Sequence, residues 1–299
     1  MTVIPCTQLI YAMSADNPPA CRAAPNTDLL FQTCDCFEDQ ITSVDTPFDR
    51  LDWQRINPAT GPVWIEGAEP GDSLKIAIKR ITITSSQAVM VTLPQLGVLG
   101  DELTEAKVNM VELSDGVAYL PGGVCAPVRP MIGVIGVTPE GEAVSCGTPD
   151  DHGGNMDSKI IREGTTLWLP VNVPGALLAL GDLHAGMGDG EVSGCGLEVA
   201  GEVLLSVEVV KGSPYPLPMV TDDDRVYTLA SATMLDDAST RATKNMARLL
   251  VERAGLSPED AISLMSITGD LQVCQVVDPK KTCRFAMPMA VLNQLGVCL

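Results

Sequence analysis

Short apolar runs that alternate with turn residues fill the first two-thirds of the chain. Residues 29–33 have the composition of a strand, and residues 63–78 give a strand, a Pro-Gly turn and a second strand. Apolar and polar positions alternate again over residues 203–209. Runs at this spacing, separated by Gly and Pro, are typical of a β-sandwich or a barrel. The pattern therefore predicts a mainly β protein.

The periodicity changes after residue 218, where apolar positions recur at helical spacing. Residues 257–260, Ser-Pro-Glu-Asp, form a strong helix start, with Ser as N-cap, Pro at the first helical position and acids in the first turn. The predicted elements are a helix from Asp236 or Asp237 to Gly255, a helix from Ser257 to about Ser266, and a strand over residues 271–277.

These patterns suggest how the chain is divided. We expect a β-sandwich built from residues 1–90 and 151–212, a small β-barrel inserted over residues 91–150, and a small α+β part over residues 213–299. Strands and helices do not alternate in βαβ order, and no G-x-G-x-x-G or P-loop pattern occurs, so we expect no nucleotide-binding fold.

Composition and charge narrow the function classes. The formal net charge is -19 over 299 residues, so phosphate backbones and anionic membranes are repelled. No run of about 18 apolar residues predicts a membrane span, and the N-terminus lacks the basic region of a signal peptide. Ten scattered cysteines without a paired C-x-x-C frame indicate free thiols in a reducing cytoplasm. We expect a cytoplasmic protein with an acidic surface.

Both histidines of the chain lie within residues 152–198, each in the pattern Asp-x-His-x-Gly-x-x-Asp. An apolar segment with Gly and Pro separates them and is typical of core strands joined by tight turns. We expect the two loops to converge on one pocket. The paired positions are Asp150, His152, Gly154 and Asp157, then Asp182, His184, Gly186 and Asp189.

The second of these motifs has the spacing of a metal site. Asp182 and His184 are two residues apart, so on a strand both side chains point to the same face. A Gly-rich loop then brings Asp189 or Glu191 back towards this pair. Histidine with carboxylates is a usual ligand mixture for catalytic zinc. The alternative is a hydrogen-bonded histidine on a turn beside solvated acids.

The first motif, residues 152–157 (HGGNMD), predicts a polar loop. Its two glycines let backbone N–H groups approach a ligand closely. His152 suits the role of ligand or base, and Asn155 can donate to an amide and accept from it. The alternative is a loop whose Asn and Asp cap the turns that follow.

Cysteine offers a different chemistry. Cys36, at a strand end beside the candidate ligand Asp35, and Cys195 are the candidate nucleophiles. A reactive thiol needs a nearby histidine or helix N-terminus to lower its pKa, and a buried inert thiol is the alternative for both. The chain has no G-x-S-x-G nucleophile elbow.

Several longer blocks resemble the acetamidase/formamidase family, and they follow the family's order over nearly the whole chain. The GDLHA…GDGE and HGGNMD blocks are the most specific. The matching segments are residues 35–37 (DCF), 57–72 (NPATGPVWIEGAEPGD), 152–157 (HGGNMD), 169–171 with 174–176, 181–185 (GDLHA) through 188–191 (GDGE), and 236–277.

The resemblance implies a jelly-roll-like β-sandwich with an inserted small barrel and a small α+β part. It also implies hydrolysis of a short aliphatic amide, such as formamide or acetamide, to a carboxylic acid and ammonia. A homo-oligomer, a dimer or larger, and a divalent metal are expected, with Zn²⁺ preferred and Ca²⁺ as the alternative. The site residues carried over are Asp35, His152, Asp157, Asp182, His184 and Glu191.

We interpret these residues as a metal-activated amidohydrolase site. The hypothesis assigns the metal to Asp35, His152, Asp182 and His184, with metal-activated water as the nucleophile. Glu191 moves the proton to the leaving ammonia with help from Asp157, and the substrate is bound by Asn155 and Asn57.

The alternatives are a metal-free amidase with Cys36 or Cys195 as nucleophile, a non-catalytic β protein that binds amides or metal, and an enzyme for another acid derivative. The chain also departs from the family pattern at residues 11–16, where members often have His and Trp. Leu183 and Met187 stand where smaller or polar residues are common, so a narrower or more apolar pocket would select a different amide.

Overall fold

The structure is a computed structural model that describes residues 1–212, 215–297 and 299. The boundary predicted at residue 213 lies outside the described residues. Within them, no helix combines the length and the apolar character that crossing a bilayer requires. The nine described cysteines are free thiols.

Strands dominate the described chain. The first eleven are β1 (Thr2–Ile4), β2 (Leu9–Ile10), β3 (Ala12–Met13), β4 (Cys21–Ala23), β5 (Asp28–Thr33), β6 (Ala59–Ile65), β7 (Ser73–Ile83), β8 (Gln87–Thr92), β9 (Lys107–Ser114), β10 (Val117–Leu120) and β11 (Val124–Pro127). The others are β12 (Met131–Gly136), β13 (Val144–Ser145), β14 (Gly153–Asn155), β15 (Thr166–Pro170), β16 (Leu178–His184), β17 (Glu198–Val199), β18 (Gly201–Val210), β19 (Met219–Thr221), β20 (Arg225–Ala232), β21 (Asp270–Gln275) and β22 (Lys281–Pro288).

The helices are fewer and lie mainly at the C-terminal end. They are α1 (Leu235–Ala254), α2 (Pro258–Thr268) and α3 (Met289–Gln294), with short 3₁₀ helices at Phe48–Arg50, Trp53–Arg55 and Pro121–Gly123. The mainly β fold class predicted from the sequence is therefore confirmed.

Two large sheets contain nearly all of the strands. A nine-stranded sheet has the order β1-β5-β18-β7-β15-β19-β20-β22-β21. An eleven-stranded sheet has the order β11-β10-β9-β8-β17-β16-β12-β14, and β6 joins it by pairing with β16, β2 and β4. The barrel expected over residues 91–150 and the predicted domain boundaries stay predictions. In the structure, β9 to β11 continue the eleven-stranded sheet beyond β8.

The inner faces of the two sheets form one hydrophobic core. Phe31, Ile76 and Leu205 of the nine-stranded sheet are buried in the same cluster as Ile135 and Leu180 of the eleven-stranded sheet. Alternate residues of β18 enter this cluster because successive side chains of a strand point to opposite faces. The predicted alternation over residues 203–209 is the sequence signal of this core face.

A second core lies under the C-terminal helices, where α1 packs on β20 and β22. The predicted stop at Gly255 is confirmed, since this residue caps α1 in the left-handed conformation. Ser257 accepts the backbone N–H of Asp260 and caps α2 as predicted. The predicted N-cap of α1 was wrong: Met234 holds that position, and Asp236 and Asp237 lie in the first turn.

The eleven-stranded sheet positions the candidate site. β12 pairs with β16 on one side and β14 on the other, so Asn155, Val134 and Gly181 lie in register across three strands. β17 pairs with the far edge of β16 and brings Glu198 opposite His184. Site residues from distant parts of the sequence are thus fixed on neighbouring strands.

Candidate active site

Asp182 and His184 are the centre of the candidate site. Both side chains are buried at the end of β16, and the Nε2 of His184 lies 3.4 Å from Oδ1 of Asp182. The prediction that their spacing puts them together is confirmed. Asp182 has a φ of 53° inside a strand, which a regular strand residue does not adopt.

Two further buried carboxylates face the same imidazole nitrogen. Oε1 of Glu198 lies 3.2 Å from Nε2 of His184, and Oδ1 of Asp157 lies 3.8 Å from it. Glu198 is held in place by the backbone N–H of Gly196, which donates to Oε1 over 2.7 Å. One imidazole is therefore surrounded by three acids.

Gly133 on β12 makes room for this arrangement. A Cβ built at Gly133 would lie 2.6 Å from Oδ1 of Asp157 and 2.6 Å from Oδ2 of Asp182. Real side chains do not approach so closely, so any other residue would push the two carboxylates apart. The site therefore requires a glycine at position 133 of β12.

Glu191 reaches the acids from the turn of residues 188–191. Its side chain is buried, and its carboxylate, Asp157 and His184 each offer an atom within 4.8 Å of the others. Backbone bonds between Gly190 and the end of β21 hold the turn: Gly190 donates to Cys274 and accepts from Val276. Of the two acids predicted to return with this loop, Glu191 comes close to the histidine, whereas Asp189 pairs with Arg284.

The C-terminal part contributes an acid that sequence reasoning missed. Asp278 follows β21, and its Oδ2 accepts the side-chain N–H of Asn155 over 3.1 Å. Asn155 thereby uses a donor within the protein, while its Oδ1 is buried without a protein partner. No motif in residues 276–280 points to Asp278. This residue reaches the site because the turn after β21 lies next to β14.

Glu198 was also missed, because it lies in a short two-residue strand without any pattern. Its carboxylate, the thiol of Cys36 and the carboxylate of Asp182 each offer an atom within 4.8 Å of the others. The thiol of Cys195 lies 3.5 Å from Oε1 of Glu198. Both candidate nucleophilic cysteines are therefore at the site, beside acids.

A cavity of about 290 Å³ opens onto these groups. Its polar lining includes Asn57, Asn155, Asp182, Glu191, Glu198 and Asp278. Both asparagines predicted to bind substrate are thus on its wall. Asn57 has a φ of 51°, and its backbone N–H donates to Cys36 over 2.8 Å.

His152 is not brought to this centre. Val137 donates its N–H to His152, whereas His184 is in register with Met131, and the six residue steps from 131 to 137 span roughly 20 Å of extended chain. His152 lines a separate depression together with Glu140, Asp150 and Asn172. The structure therefore separates the two histidines that were expected to converge.

Asp35 lies next to Cys36 but outside the two ligand groups among the described residues. Its Oδ1 accepts the N–H of Phe37 over 2.9 Å and that of Asp39 over 2.8 Å. Burial raises the pKa of Asp35 to about 6, against the opposing effect of these backbone bonds. The carboxylate acts as the cap of a turn that places Cys36.

Comparisons with known proteins agree with this architecture. The acetamidase/formamidase family model matches residues 13–146 and 141–294. The chain belongs to this family. The resemblance seen in the sequence is confirmed.

Individual family members are similar along the chain. The acetamidase of Bacillus halodurans has a crystal structure that is 45% identical, with a TM-score of 0.97 over 99% of this chain and 100% of that one. An acetamidase from Yersinia enterocolitica is 29% identical, with a TM-score of 0.92 over 97% and 92%. The formamidase of Methylophilus methylotrophus is 25% identical over 66% of this chain and 62% of its own length. The chain spans less than two-thirds of the curated relatives it matches.

In this family member the buried acids shift one another's pKa. Burial, reinforced by the charge of Asp157, raises the pKa of Glu191 to about 9. Burial likewise holds the pKa values of Asp157, Glu198 and Asp278 well above their usual range. Burial alone would lower the pKa of His184, but Glu198 and Asp182 outweigh it and hold that pKa well above its ordinary value.

The donor set fits a divalent cation. Both carboxylate oxygens of Asp157 and Oε2 of Glu198 are buried without a hydrogen-bond partner in the described protein. The ligands of a tetrahedral ion bound at about 2.0 Å lie roughly 3.3 Å apart, which matches the distances from Nε2 of His184 to Asp182 and Glu198. Buried acids without partners are costly unless a cation compensates them.

Proposed function

We propose that the protein hydrolyses a carboxamide to a carboxylic acid and ammonia, with water as the nucleophile. The observation that carries the proposal is the ring of three buried carboxylates around Nε2 of His184. Membership of the acetamidase/formamidase family supports amide hydrolysis, and short aliphatic amides such as formamide and acetamide are the substrates to test first.

Asp182, His184 and Glu198 would hold a divalent cation, with Asp157 beside them. When bound, such a cation supplies a polarised amide carbonyl and a more acidic water. One imidazole with carboxylates suits Zn²⁺, and Ca²⁺ is the alternative because most of the donors are oxygen atoms. Relative to the ligands inferred from the sequence, this proposal retains Asp182 and His184, and replaces Asp35 and His152.

Glu191 is the proposed general base and acid. It lines the cavity, and burial raises the pKa of its carboxyl to about 9 in the cation-free protein, so the group is then protonated at neutral pH. A cation bound beside it would lower that pKa and leave the carboxylate free to act as a base. Glu191 would accept the proton of the attacking water and pass it to the leaving nitrogen. The product ammonia then departs through the same cavity.

Asn155 orients the substrate. Its Oδ1 is the free acceptor on the cavity wall and suits the N–H of a carboxamide, while Asp278 fixes the other end of its amide group. Asn57 on the same wall is the second substrate contact. The proposed roles of both asparagines follow from this shared wall.

The cysteine alternative has less support. Burial raises the pKa of Cys36 and of Cys195 well above the ordinary value, and the neighbouring Glu198 raises both further. A nucleophilic cysteine needs the opposite shift, because the thiolate is the reactive form. A cytoplasmic location and a homo-oligomeric state, dimer or larger, stay predictions.

The decisive experiment measures ammonia release from formamide and acetamide together with the metal content of the purified protein. We expect His184→Ala to lose the cation, and Glu191→Gln to keep it while its kcat falls by about 10²- to 10⁴-fold. His152→Asn is the matched histidine control and should keep its cation. Full activity in both His184→Ala and Glu191→Gln would overturn the proposal.

A further inference from the structure

A second cavity, larger and more apolar, also has Glu191 in its wall. It has a volume of about 370 Å³. Its apolar wall is formed by Met90, Leu120, Pro127, Met187, Val192 and Leu197. Its charged lining groups other than Glu191 are Arg129 and Asp189, and Asp189 is already paired with Arg284. We refer to it as the apolar cavity.

The apolar cavity adjoins the candidate site. Glu191 and Cys195 line both this cavity and the polar one that contains Asn155 and Asp278. Gly196, a further wall residue, lies against the imidazole, since a Cβ built on it would be 2.4 Å from Nδ1 of His184. A group in the apolar cavity would therefore lie beside the proposed general base.

Its size exceeds what the smallest amides need. A cavity of 370 Å³ has the volume of on the order of ten water molecules at about 30 Å³ each. Acetamide offers a single methyl group and formamide none, so neither would fill it. Pockets of roughly 300–1,000 Å³ with apolar walls and few polar groups are typical of sites for larger organic ligands.

We infer that the apolar cavity receives the hydrocarbon part of a neutral carboxamide larger than acetamide, with a branched or aromatic acyl group. The inference rests on the proposed function, because the amide group is placed at Glu191. The apolar wall removes part of the acyl group from water, and the polar cavity that shares Glu191 and Cys195 receives the amide nitrogen next to Asn155.

Met187 connects this inference with the sequence. It stands out in the sequence as a residue that would make the pocket more apolar, and it lines the apolar cavity. A flexible thioether adapts to acyl groups of different shape and adds apolar surface. Leu183, the other departure, is buried in the core between the sheets and does not line either cavity.

The test compares kcat/KM for formamide, acetamide, isobutyramide and benzamide in the purified, cation-loaded protein. Each buried methylene group contributes roughly a fourfold gain, so isobutyramide and benzamide should exceed acetamide by about tenfold or more. Met187→Asp places a charge in the cavity and should lower the ratio of benzamide to acetamide by at least tenfold. Val192→Asp, at a largely exposed wall residue, repeats the test in a variant whose folding is at little risk.

Val44→Asp is the matched control, because Val44 is similarly exposed and lines neither cavity. Its ratio should equal that of the unchanged protein. Hydrolysis of formamide and acetamide without gain for the larger amides, or an unchanged ratio in Met187→Asp and Val192→Asp, overturns the inference and leaves the proposed function intact. Failure with every amide overturns both.

Discussion

Four residues of the candidate site have the backbone in the left-handed region, although none is glycine. Asn57, Asp157, Asp182 and Glu191 have φ values of 51°, 40°, 53° and 46°. Such conformations cost on the order of 1 kcal/mol or more and persist only where the surroundings impose them. Their concentration at one candidate site indicates that the fold orients these side chains at the expense of local backbone preference.

Gly133→Ala tests how closely the acids must approach. The added methyl group would lie 2.6 Å from oxygen atoms of both Asp157 and Asp182, so at least one carboxylate must move. We expect cation affinity and kcat/KM to fall by about 10²-fold, as typical changes around metal ligands do. Calorimetric titration of the chelated protein with Zn²⁺ and steady-state kinetics measure the two effects.

Gly147→Ala is the control for this steric argument. A Cβ at Gly147 would have only ordinary contacts, at 3.8 Å from Asn57 and Ser145. Its cation affinity should match that of the unchanged protein. Equal affinities in the Gly133→Ala and Gly147→Ala variants would show that the carboxylates tolerate displacement.

The burial of His152 predicts how the free energy of unfolding changes at acidic pH. Burial, with help from Lys280, lowers the pKa of His152 to about 4, below its ordinary 6.5. The unfolded chain then binds a proton that the folded chain does not, so the contribution to stability is present above pH 6.5 and is lost as the pH falls towards 4. The loss is on the order of 3 kcal/mol.

His152→Gln removes this titration. We expect the free energy of unfolding, measured by urea denaturation between pH 4 and 7.5, to depend less on pH in the variant. A variant whose pH dependence matches that of the unchanged protein would mean that folding does not lower the pKa of His152.

At this scale the sequence revealed the residues that have local patterns. Asp182 and His184 are two apart on one strand, and that spacing alone predicts their contact. Glu198 and Asp278 have no such signal, because register with β16 and the turn after β21 bring them in. His152 shares the local pattern of His184, yet the register of β12 separates the two, which a pattern of neighbours cannot show.

Among the elements, β21 and β22 connect the C-terminal part to the turn that carries Glu191. Arg284 on β22 is fully buried and donates two hydrogen bonds to Asp189, over 2.9 and 2.7 Å. Its Nε donates to Gln272 over 2.7 Å. Together with the backbone bonds of Gly190, this pair fixes the turn from outside the site.

Arg284→Met tests this connection. Asp189 is 31% exposed and keeps its pair with Lys159, so the main loss is the set of charged hydrogen bonds made by Arg284. We expect the free energy of unfolding to fall by about 2 kcal/mol. We also expect kcat to fall more than KM changes, because Glu191 loses its position while the asparagines keep theirs. Denaturation curves and steady-state kinetics measure the two effects.

Lys159→Met is the matched control, since Lys159 pairs with the same Asp189 over 2.9 Å from a side chain that is 44% exposed. Exposed pairs contribute less than about 1 kcal/mol. Similar losses in both variants would show that the buried position of Arg284 has no special role.

The order of the elements was harder to predict than their type. Alternation identified β18, and Gly255 and Ser257 identified helix ends, because these signals lie within a few residues. No strand was predicted for β20 or β22, although these two strands support α1. Sheet order, such as β18 between β5 and β7, depends on contacts far apart in sequence and was not predictable.

For the molecule as a whole, charge links stability to the cation. The net charge of -19 already disfavours compaction at neutral pH, and the acids of the site add buried charge. Asp157, Glu191 and Glu198 lie together in the interior with His184 as their cationic partner, and the half-buried Asp278 lies beside them. The raised pKa values favour the protonated carboxyls when no cation is bound, and a bound cation would favour their ionised form.

This predicts that the melting temperature of the chelated protein falls with rising pH, while the increase caused by a bound cation becomes larger. The pKa of Glu191 is raised from 4.5 to about 9 in the folded state, so its contribution to stability is fully present below about pH 4.5 and is lost as the pH rises towards 9. The other buried acids shift in the same direction. We therefore expect the melting temperature of the chelated protein to fall from pH 6 to pH 9.

Saturating Zn²⁺ should raise the melting temperature more at pH 8.5 than at pH 6, because binding displaces protons that are already weakly held at high pH. Glu198→Gln removes one proposed ligand and one buried acid. It should flatten the decline of the chelated protein and shrink the gain from Zn²⁺. A gain from Zn²⁺ that is independent of pH, or unchanged in Glu198→Gln, would place the ion elsewhere on this acidic molecule.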